Sequence, residues 1–220
     1  MTSAPENDTA LALPAPVTRS SVTTDVALVA TFAAFIAVCA ILPGIPTPSG
    51  VPITLQTFGV ILAGLVLGWR RGGLAALLYL ALGLAGLPIF AEGTGGLVVL
   101  SKPSVGYLLA FPFAAALAGV FATLALRGAD RLAGRFGERT VGAPSAWRYP
   151  LLVVAGLAAS FLTIHPAGIV GLMSRLGLSF GEALAIDVVY WPGDLIKNLA
   201  AAAVAVAIFK AFPDLLRNRR

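Results

Sequence analysis

The sequence predicts an all-α integral membrane protein, a bundle of six transmembrane helices with N- and C-termini cytoplasmic. Three observations carry this expectation. First, 58% of the 220 residues are hydrophobic and only 11% are charged, with a mean hydropathy of +0.92. A soluble domain carries about twice that share of charge to cover its surface, so the natural solvent here is lipid. Second, the charges are gathered at intervals and leave charge-free stretches at 26–69, 72–91, 103–126, 149–174 and 198–209. Third, the basic residues fall on alternate connections, which is the asymmetry of positive-inside orientation. Together these exclude a cytosolic enzyme, a secreted disulfide scaffold and a nucleic-acid-binding domain.

Residues 1–24 are rich in Thr, Ala, Pro and Ser and read as a disordered cytoplasmic tail. They lack the basic n-region of a secretory signal, and further spans follow the first apolar run. The stretch 26–69 would make a helix of about 66 Å at 1.5 Å per residue, twice the hydrocarbon core. It therefore folds back, and the turn lies at Pro43-Gly44-Ile45-Pro46-Thr47-Pro48-Ser49-Gly50-Val51-Pro52, where the prolines lack amide donors. This yields spans at 26–42 and 53–69. Spans at 72–90, 106–126 and 149–172 follow from the next charge-free runs. The sixth, 182–209, reads as one long helix with Asp187, Asp194 and Lys197 embedded in it. The membrane domain is then 25–212, with a cytoplasmic loop at 127–148 and a basic cytoplasmic tail at 213–220.

Orientation follows from the connections. Arg70 and Arg71, then Arg127, Arg131, Arg135, Arg139 and Arg148, then Lys210, Arg217, Arg219 and Arg220 share one side in a six-helix arrangement. That side is cytoplasmic. The opposite loops hold only Glu92, Lys102 and Arg175. Cys39 is the single cysteine, so neither an intramolecular disulfide nor a thiolate zinc site is available. No paired carboxylates, His cluster or nucleophile–base spacing points to hydrolysis, and no ligand set points to a metal. No internal repeat is visible, which speaks against an inverted-repeat secondary transporter.

Two outward connections are apolar. One is 43–53. The other runs Ala91-Glu92-Gly93-Thr94-Gly95-Gly96-Leu97-Val98-Val99-Leu100-Ser101-Lys102-Pro103-Ser104 into Gly106-Tyr107. Loops facing bulk water have no reason to be so apolar, and irregular backbone at membrane depth is tolerated where it is buried or lines a cavity. We expect lids closing a site between helices. The Gly93-Thr94-Gly95-Gly96 cluster lacks the Lys-Ser/Thr of a phosphate loop, and fits a tight turn or a ligand-facing backbone.

Asp194 and Lys197 fall near the midpoint of the sixth span. Each would cost about 2.5–3.5 kcal/mol facing lipid, so both must face the bundle interior. At i,i+3 they share a helix face. They fit a structural ion pair, and they fit better a polar anchor for a small ligand, because aromatic, amide and hydroxyl groups cluster around them in sequence. Pro192 and Gly193 loosen the preceding turn. His165, beside Pro166 in the fifth span, fits a kink or packing residue more readily than a ligand contact. Asp187, nearer the outer boundary, reads as solvated or capping, and Glu182 as an outer-surface residue. In the first span, Ala30/Ala34 and Ala33/Ala37 are small-xxx-small pairs that allow close helix approach, either within the bundle or to a second membrane protein.

An ordered series of motifs then resembles a known family. Gly44-Ile45-Pro46 is followed by Val51-Pro52-Ile53-Thr54-Leu55-Gln56-Thr57-Phe58, Leu62-Ala63-Gly64-Leu65 and Gly68-Trp69-Arg70-Arg71-Gly72. Leu82-Gly83-Leu84-Ala85-Gly86-Leu87-Pro88-Ile89-Phe90, Gly95-Gly96, Gly106-Tyr107-Leu108 and Pro192-Gly193-Asp194-Leu195-Ile196-Lys197 come next. The series covers about 25–210 and resembles the biotin-transport S-component family, BioY. The chain departs from that pattern in its N-terminal tail, its 127–148 loop and Glu92-Gly93-Thr94.

The resemblance implies a six-helix substrate-binding subunit of an energy-coupling-factor transporter in the cell membrane. Such a subunit captures biotin at the outer face for ATP-driven uptake. It works with a transmembrane coupling protein and a cytoplasmic ATPase pair, so the chain itself is no enzyme and needs no cofactor. The resemblance also places the partner interface at Ala30, Ala33, Ala34 and Ala37. Asp194 and Lys197 would meet the ureido group of biotin, with its valerate tail toward Gln56, Thr94, Ser104 and Tyr107; a pose with Lys197 on the carboxylate is equally compatible with the sequence. The alternatives are an S-component for another vitamin, or a solitary secondary transporter of biotin.

Overall fold

A computed structural model of the chain describes residues 21–135 and 146–217. The expected tail is outside the described residues up to position 20, as are 136–145 of the expected loop and 218–220 of the C-terminal tail. Among the described residues the architecture is all-helical. Helix α1 (Val22–Ile41) is opened by Ser21, whose hydroxyl accepts the Thr24 N–H at 3.1 Å, a side-chain cap for an otherwise orphan donor. It stops at Leu42, ahead of Pro43. The following connection is pinned across its neck, where Ile45 and Ile53 exchange backbone hydrogen bonds of 2.9 and 2.8 Å.

Helix α2 (Gln56–Leu67) is the centre of the bundle, with every residue from Gly59 to Leu67 buried. A helix that is apolar all round belongs inside, and α1, α3, α4 and α8 all pack against it. Gly68 alone separates it from α3 (Trp69–Leu84). Its φ of +85° lets the chain reverse within one residue, a conformation that penalises any side chain with a Cβ. Gly64 meets α4 so closely that a Cβ there would lie 2.2 Å from the Ala115 carbonyl oxygen. In the first turn of α3, Arg71 is buried and donates to Asp25 of α1, an ion pair joining two helices.

Helix α3 is shorter than the span 72–90 expected from hydropathy. Gly86 takes a φ of +114° and Pro88 follows, so the chain leaves the helix at Leu84. The apolar stretch 85–104 then turns back over the bundle through two short 3-10 turns, Ala91–Gly93 and Leu97–Ser101. Carbonyls at the end of α3 are satisfied from this loop. Gly83 accepts the Gly96 N–H at 2.7 Å and Leu82 accepts the Leu87 N–H at 3.2 Å. Phe90 is buried with its ring 5.3 Å from that of Tyr79. An apolar loop at this depth is explained by such burial.

Helix α4 (Val105–Arg135) is about 46 Å long and continues past 126, where the sequence suggests that the connection begins. The arginines there do not end the helix, because Ala129 and Ala133 keep its inner face apolar and buried. Helix α5 (Arg148–Ala159) passes through a π-helical turn, Ser160–Ile164, directly into α6 (His165–Leu176). Helices α7 (Phe180–Val188), α8 (Trp191–Ala211) and α9 (Pro213–Arg217) complete the chain. Ser179 and Glu182 form a reciprocal capping box at the start of α7, and Glu182 is exposed, as expected.

The single sixth helix over 182–209 does not form. It breaks at Val189–Tyr190 because Pro192 has no amide hydrogen for the Val188 carbonyl four residues back. Asp194 and Lys197 therefore stand in the first two turns of a new helix, not at the midpoint of a long one. Among the described residues, four stretches are long and apolar enough to cross a bilayer: Val22–Ile41, Val105–Ala133, Arg148–Leu176 and Trp191–Ala211. Helices α2 and α3, at 12 and 16 residues, are shorter than the expected 53–69 and 72–90. Because α2 is buried among other helices, protein and not lipid surrounds it.

Candidate ligand-binding site

A cavity lies beneath the two apolar loops. Its wall is built from the 50–54 segment, the start of α2, the 90–104 loop, the first turns of α4 and the start of α8. All six binding residues expected from the sequence, Gln56, Thr94, Ser104, Tyr107, Asp194 and Lys197, line it. They come from four separate parts of the chain, so their convergence is a result of packing.

The polar end of the cavity is organised around Asp194, a carboxylate only 4% exposed. Its Oδ1 accepts from Lys197 Nζ at 2.9 Å and from Thr57 Oγ1 at 2.9 Å. Lys197 and Asp194 thus form the i,i+3 pair that their spacing suggests. Placing the pair at the start of α8 gives it a second support, since the N-terminal end of a helix favours a carboxylate. Asn198, one residue on, is buried and donates to the Asp194 carbonyl at 2.8 Å. Gln56, at the first turn of α2, donates to the buried Tyr79 hydroxyl, which fixes its amide and leaves the carbonyl side to accept from Thr54 Oγ1 at 3.2 Å. A donor–acceptor pair in a water-poor wall is what a small ligand with both N–H and C=O groups can match, and charge-assisted hydrogen bonds there are the strong ones.

Asp187 corrects the expectation of a solvated or capping residue. It is fully buried and accepts from Tyr107 Oη at 2.8 Å, Trp191 Nε1 at 2.8 Å and His165 Nδ1 at 3.0 Å. His165 is also buried, standing between Asp187 and Asp194, with Nε2 3.5 Å from Asp194 Oδ2. The connection between α6 and α7 allows this: Gly177, at a φ of +67°, reverses the chain so that α7 packs back against α6 and sets Asp187 beside His165, while Asp194 approaches the other ring nitrogen from the start of α8.

Several lining residues were not singled out from the sequence as binding residues: Thr57, Glu92, Lys102 and Tyr190. Tyr190 lies at the break, and its hydroxyl donates to the Val51 carbonyl at 3.0 Å and pairs with Ser49 Oγ at 2.8 Å. It ties the first apolar loop down over the cavity. The Asp187–Trp191 contact has the i,i+4 spacing that could have exposed it; the His165–Asp187 contact has no local signal, since it joins separate helices. On α1, Ala33 is buried and Ala37 half-buried against the bundle, while Ala30 and Ala34 are exposed.

Fold and site together describe a multi-pass helical membrane protein with a cavity beneath two apolar loops, its wall carrying a buried acid–base pair. The BioY family profile matches residues 9–214, and the chain belongs to the BioY family. It is 34% identical over 198 residues to the biotin transporter BioY of Rhizobium etli, covering 88% of this chain and 97% of that protein. It is 36% identical over 207 residues to the biotin transporter BioY of Rhodobacter capsulatus, covering 89% and 98%. Among solved structures, the S-component for biotin from an ECF-type ABC transporter superposes with a TM-score of 0.66 at 26% identity, over 86% of this chain and 92% of that one.

Proposed function

We propose that this chain is the substrate-binding subunit of an energy-coupling-factor transporter and captures biotin at the outer face of the cell membrane. Membership of the BioY family and the names of its relatives supply the substrate class. The observation that carries the reading to this chain is the Asp194–Lys197 pair in the wall of the cavity beneath the two apolar loops. The ureido group of biotin presents N–H donors for Asp194 and a carbonyl acceptor for Lys197. The carboxylate tail then extends toward Gln56, Thr94, Ser104 and Tyr107. In this reading the shorter α2 and α3 join the four long helices as membrane segments, six in all, with both termini cytoplasmic. Ala30 and Ala34, on the exposed face of α1, meet the transmembrane coupling protein. Uptake is driven by a cytoplasmic ATPase pair, and this chain catalyses no reaction and holds no cofactor.

The test is retention of radiolabelled biotin by the purified protein. Wild type should bind biotin in preference to thiamine or riboflavin. Asp194→Asn, which loses a charge-assisted acceptor, should weaken binding by about 10- to 100-fold, equivalent to about 1.5–3 kcal/mol. Lys197→Ala should do the same. Undiminished binding in both variants refutes the site, and retention of another vitamin in place of biotin refutes the substrate.

A further inference from the structure

Among the described residues, four charged side chains line the cavity: Glu92, Lys102, Asp194 and Lys197. Asp194 and Lys197 pair at 2.9 Å, so their charges cancel. Glu92 and Lys102 belong to the second apolar loop, and among the described residues neither takes part in an ion pair. Glu92 is exposed, where water solvates its carboxylate, whereas Lys102 is half-buried. The cavity wall therefore carries one cation that the surrounding protein does not neutralise. A charge withdrawn from water is costly until an opposite charge meets it.

Lys102 is not a loose surface lysine. Its N–H donates to the carbonyl of buried Val99 at 3.2 Å, and its own carbonyl accepts the Val105 N–H at 3.1 Å. Those bonds join the 3-10 turn Leu97–Ser101 to the start of α4. The next residue packs on α6, where a Cβ added at Gly171 would lie 3.3 Å from the Pro103 carbonyl oxygen. The ammonium is thus carried by a fixed stretch of backbone in the wall, beside Ser104.

Hydrogen-bond donors at that end of the cavity are largely committed. Tyr107 gives its single hydroxyl hydrogen to Asp187 at 2.8 Å, and Thr94 gives its own to the Ala91 carbonyl at 2.9 Å. Both then offer a ligand lone pairs alone, which a carboxylate, itself only an acceptor, cannot use. Gln56 directs one amide N–H to Tyr79. What is left for an anion is the second N–H of Gln56 and the Ser104 hydroxyl, both neutral, and the Lys102 ammonium with its three donors.

We infer that Lys102 binds the carboxylate of the ligand and makes the protein selective for the free acid over its amides and esters. A carboxylate supplies the counter-ion that Lys102 lacks, and the hydrogen bond it receives is charge-assisted. A carboxamide of the same shape leaves the lysine charge uncompensated and adds N–H donors where the wall already has donors to spare. Were the carboxylate placed on Lys197, it would stand beside Asp194 as a second negative charge on one ammonium, and Lys102 would stay unpaired. Lys102 is therefore a specificity-determining residue, with Ser104 and Gln56 as its neutral neighbours.

This inference rests on biotin as the ligand, and the experiment separates the two. Displacement of radiolabelled biotin from the purified protein by unlabelled biotin and by biotinamide gives an acid-to-amide preference. Wild type should prefer the acid by about 10- to 100-fold. In Lys102→Gln the preference should fall to within about threefold, because biotin weakens and the amide does not. Lys102→Arg should retain it, and Lys197→Ala should weaken both ligands while leaving the preference standing. Equal binding of acid and amide by wild type, or an undiminished preference in Lys102→Gln, overturns the assignment and leaves biotin capture intact. If Lys102→Gln does not fold, acylation of wild type decides. At equal occupancy biotin should shield the Lys102 amine from a water-soluble acylating reagent more than biotinamide does, and equal shielding overturns the pairing. Failure of wild type to bind biotin overturns both readings.

Discussion

Removing one oxygen atom from Tyr190 should shorten the time that a ligand stays in the cavity. In Tyr190→Phe the ring keeps its edge-on contact with Tyr107, at 5.8 Å between centroids, and only the hydroxyl is lost. That hydroxyl donates to the Val51 carbonyl at 3.0 Å and pairs with Ser49 Oγ at 2.8 Å; Thr47 Oγ1, at 3.4 Å, already donates to Val51. Two hydrogen bonds holding the 43–53 loop therefore disappear, at about 1 kcal/mol each. The Val51 carbonyl keeps its bond from Thr47, so no buried acceptor is orphaned and no larger penalty is added. The closed loop is weakened by about 2 kcal/mol, which corresponds to about a 30-fold larger population of the open form. If opening gates escape, the dissociation rate of radiolabelled biotin, measured by chase with unlabelled ligand, should rise by about that factor. Most of the change should fall in the off-rate, as is usual when a lid is loosened. An off-rate within about twofold of wild type would refute the role of Tyr190 as the tie between the loop and the helix break.

Other perturbations test the packing and the partner surface. Gly64→Ala places a Cβ 2.2 Å from the Ala115 carbonyl oxygen, so α2 and α4 must separate; a loss of about 1–3 kcal/mol is expected, read as a lower melting temperature in detergent. Asp187→Ala leaves the Tyr107 hydroxyl and a His165 N–H without their acceptor in a buried setting; destabilisation of about 2–5 kcal/mol should follow, whereas Asp187→Asn, which keeps an acceptor oxygen, should lose less. Ala34→Leu, on the exposed face of α1, should leave biotin affinity within about twofold while preventing co-purification with the coupling subunit. Weakened biotin binding with intact co-purification would contradict that assignment.

The helical nature of the chain and the general position of its elements were legible because hydrophobic length and charge spacing are local properties. So was the Asp194–Lys197 pair, since i,i+3 spacing on a helix dictates proximity. The limits of local reading show at α3, where the apolar run continues past Leu84 although the helix does not. Hydropathy does not register the positive φ of Gly86, which ends the helix. The same blindness turned α7 and α8 into one helix. Pro192 was visible and was read as a loosened turn, but whether a proline bends a helix or breaks it depends on what packs beside it. Asp187 was misplaced because its position toward the end of a span says nothing of what packs there: the turn at Gly177 folds α7 onto α6 and buries the carboxylate against His165.

By itself the sequence determined that lipid is the solvent, that the chain is helical, that two apolar loops cover something, and that an acid and a base share one face of the last long helix. The tertiary structure decided what those features do together. It brought Gln56, Thr94, Ser104, Tyr107, Asp194 and Lys197 around one cavity, gave the loop its tie at Tyr190, and set a single imidazole between two buried carboxylates. The physical reason is range. Periodicity and charge cost act over a helical turn and can be read from neighbours in the chain, whereas a contact such as His165–Asp187 exists only after the turn at Gly177 has folded α7 back against α6.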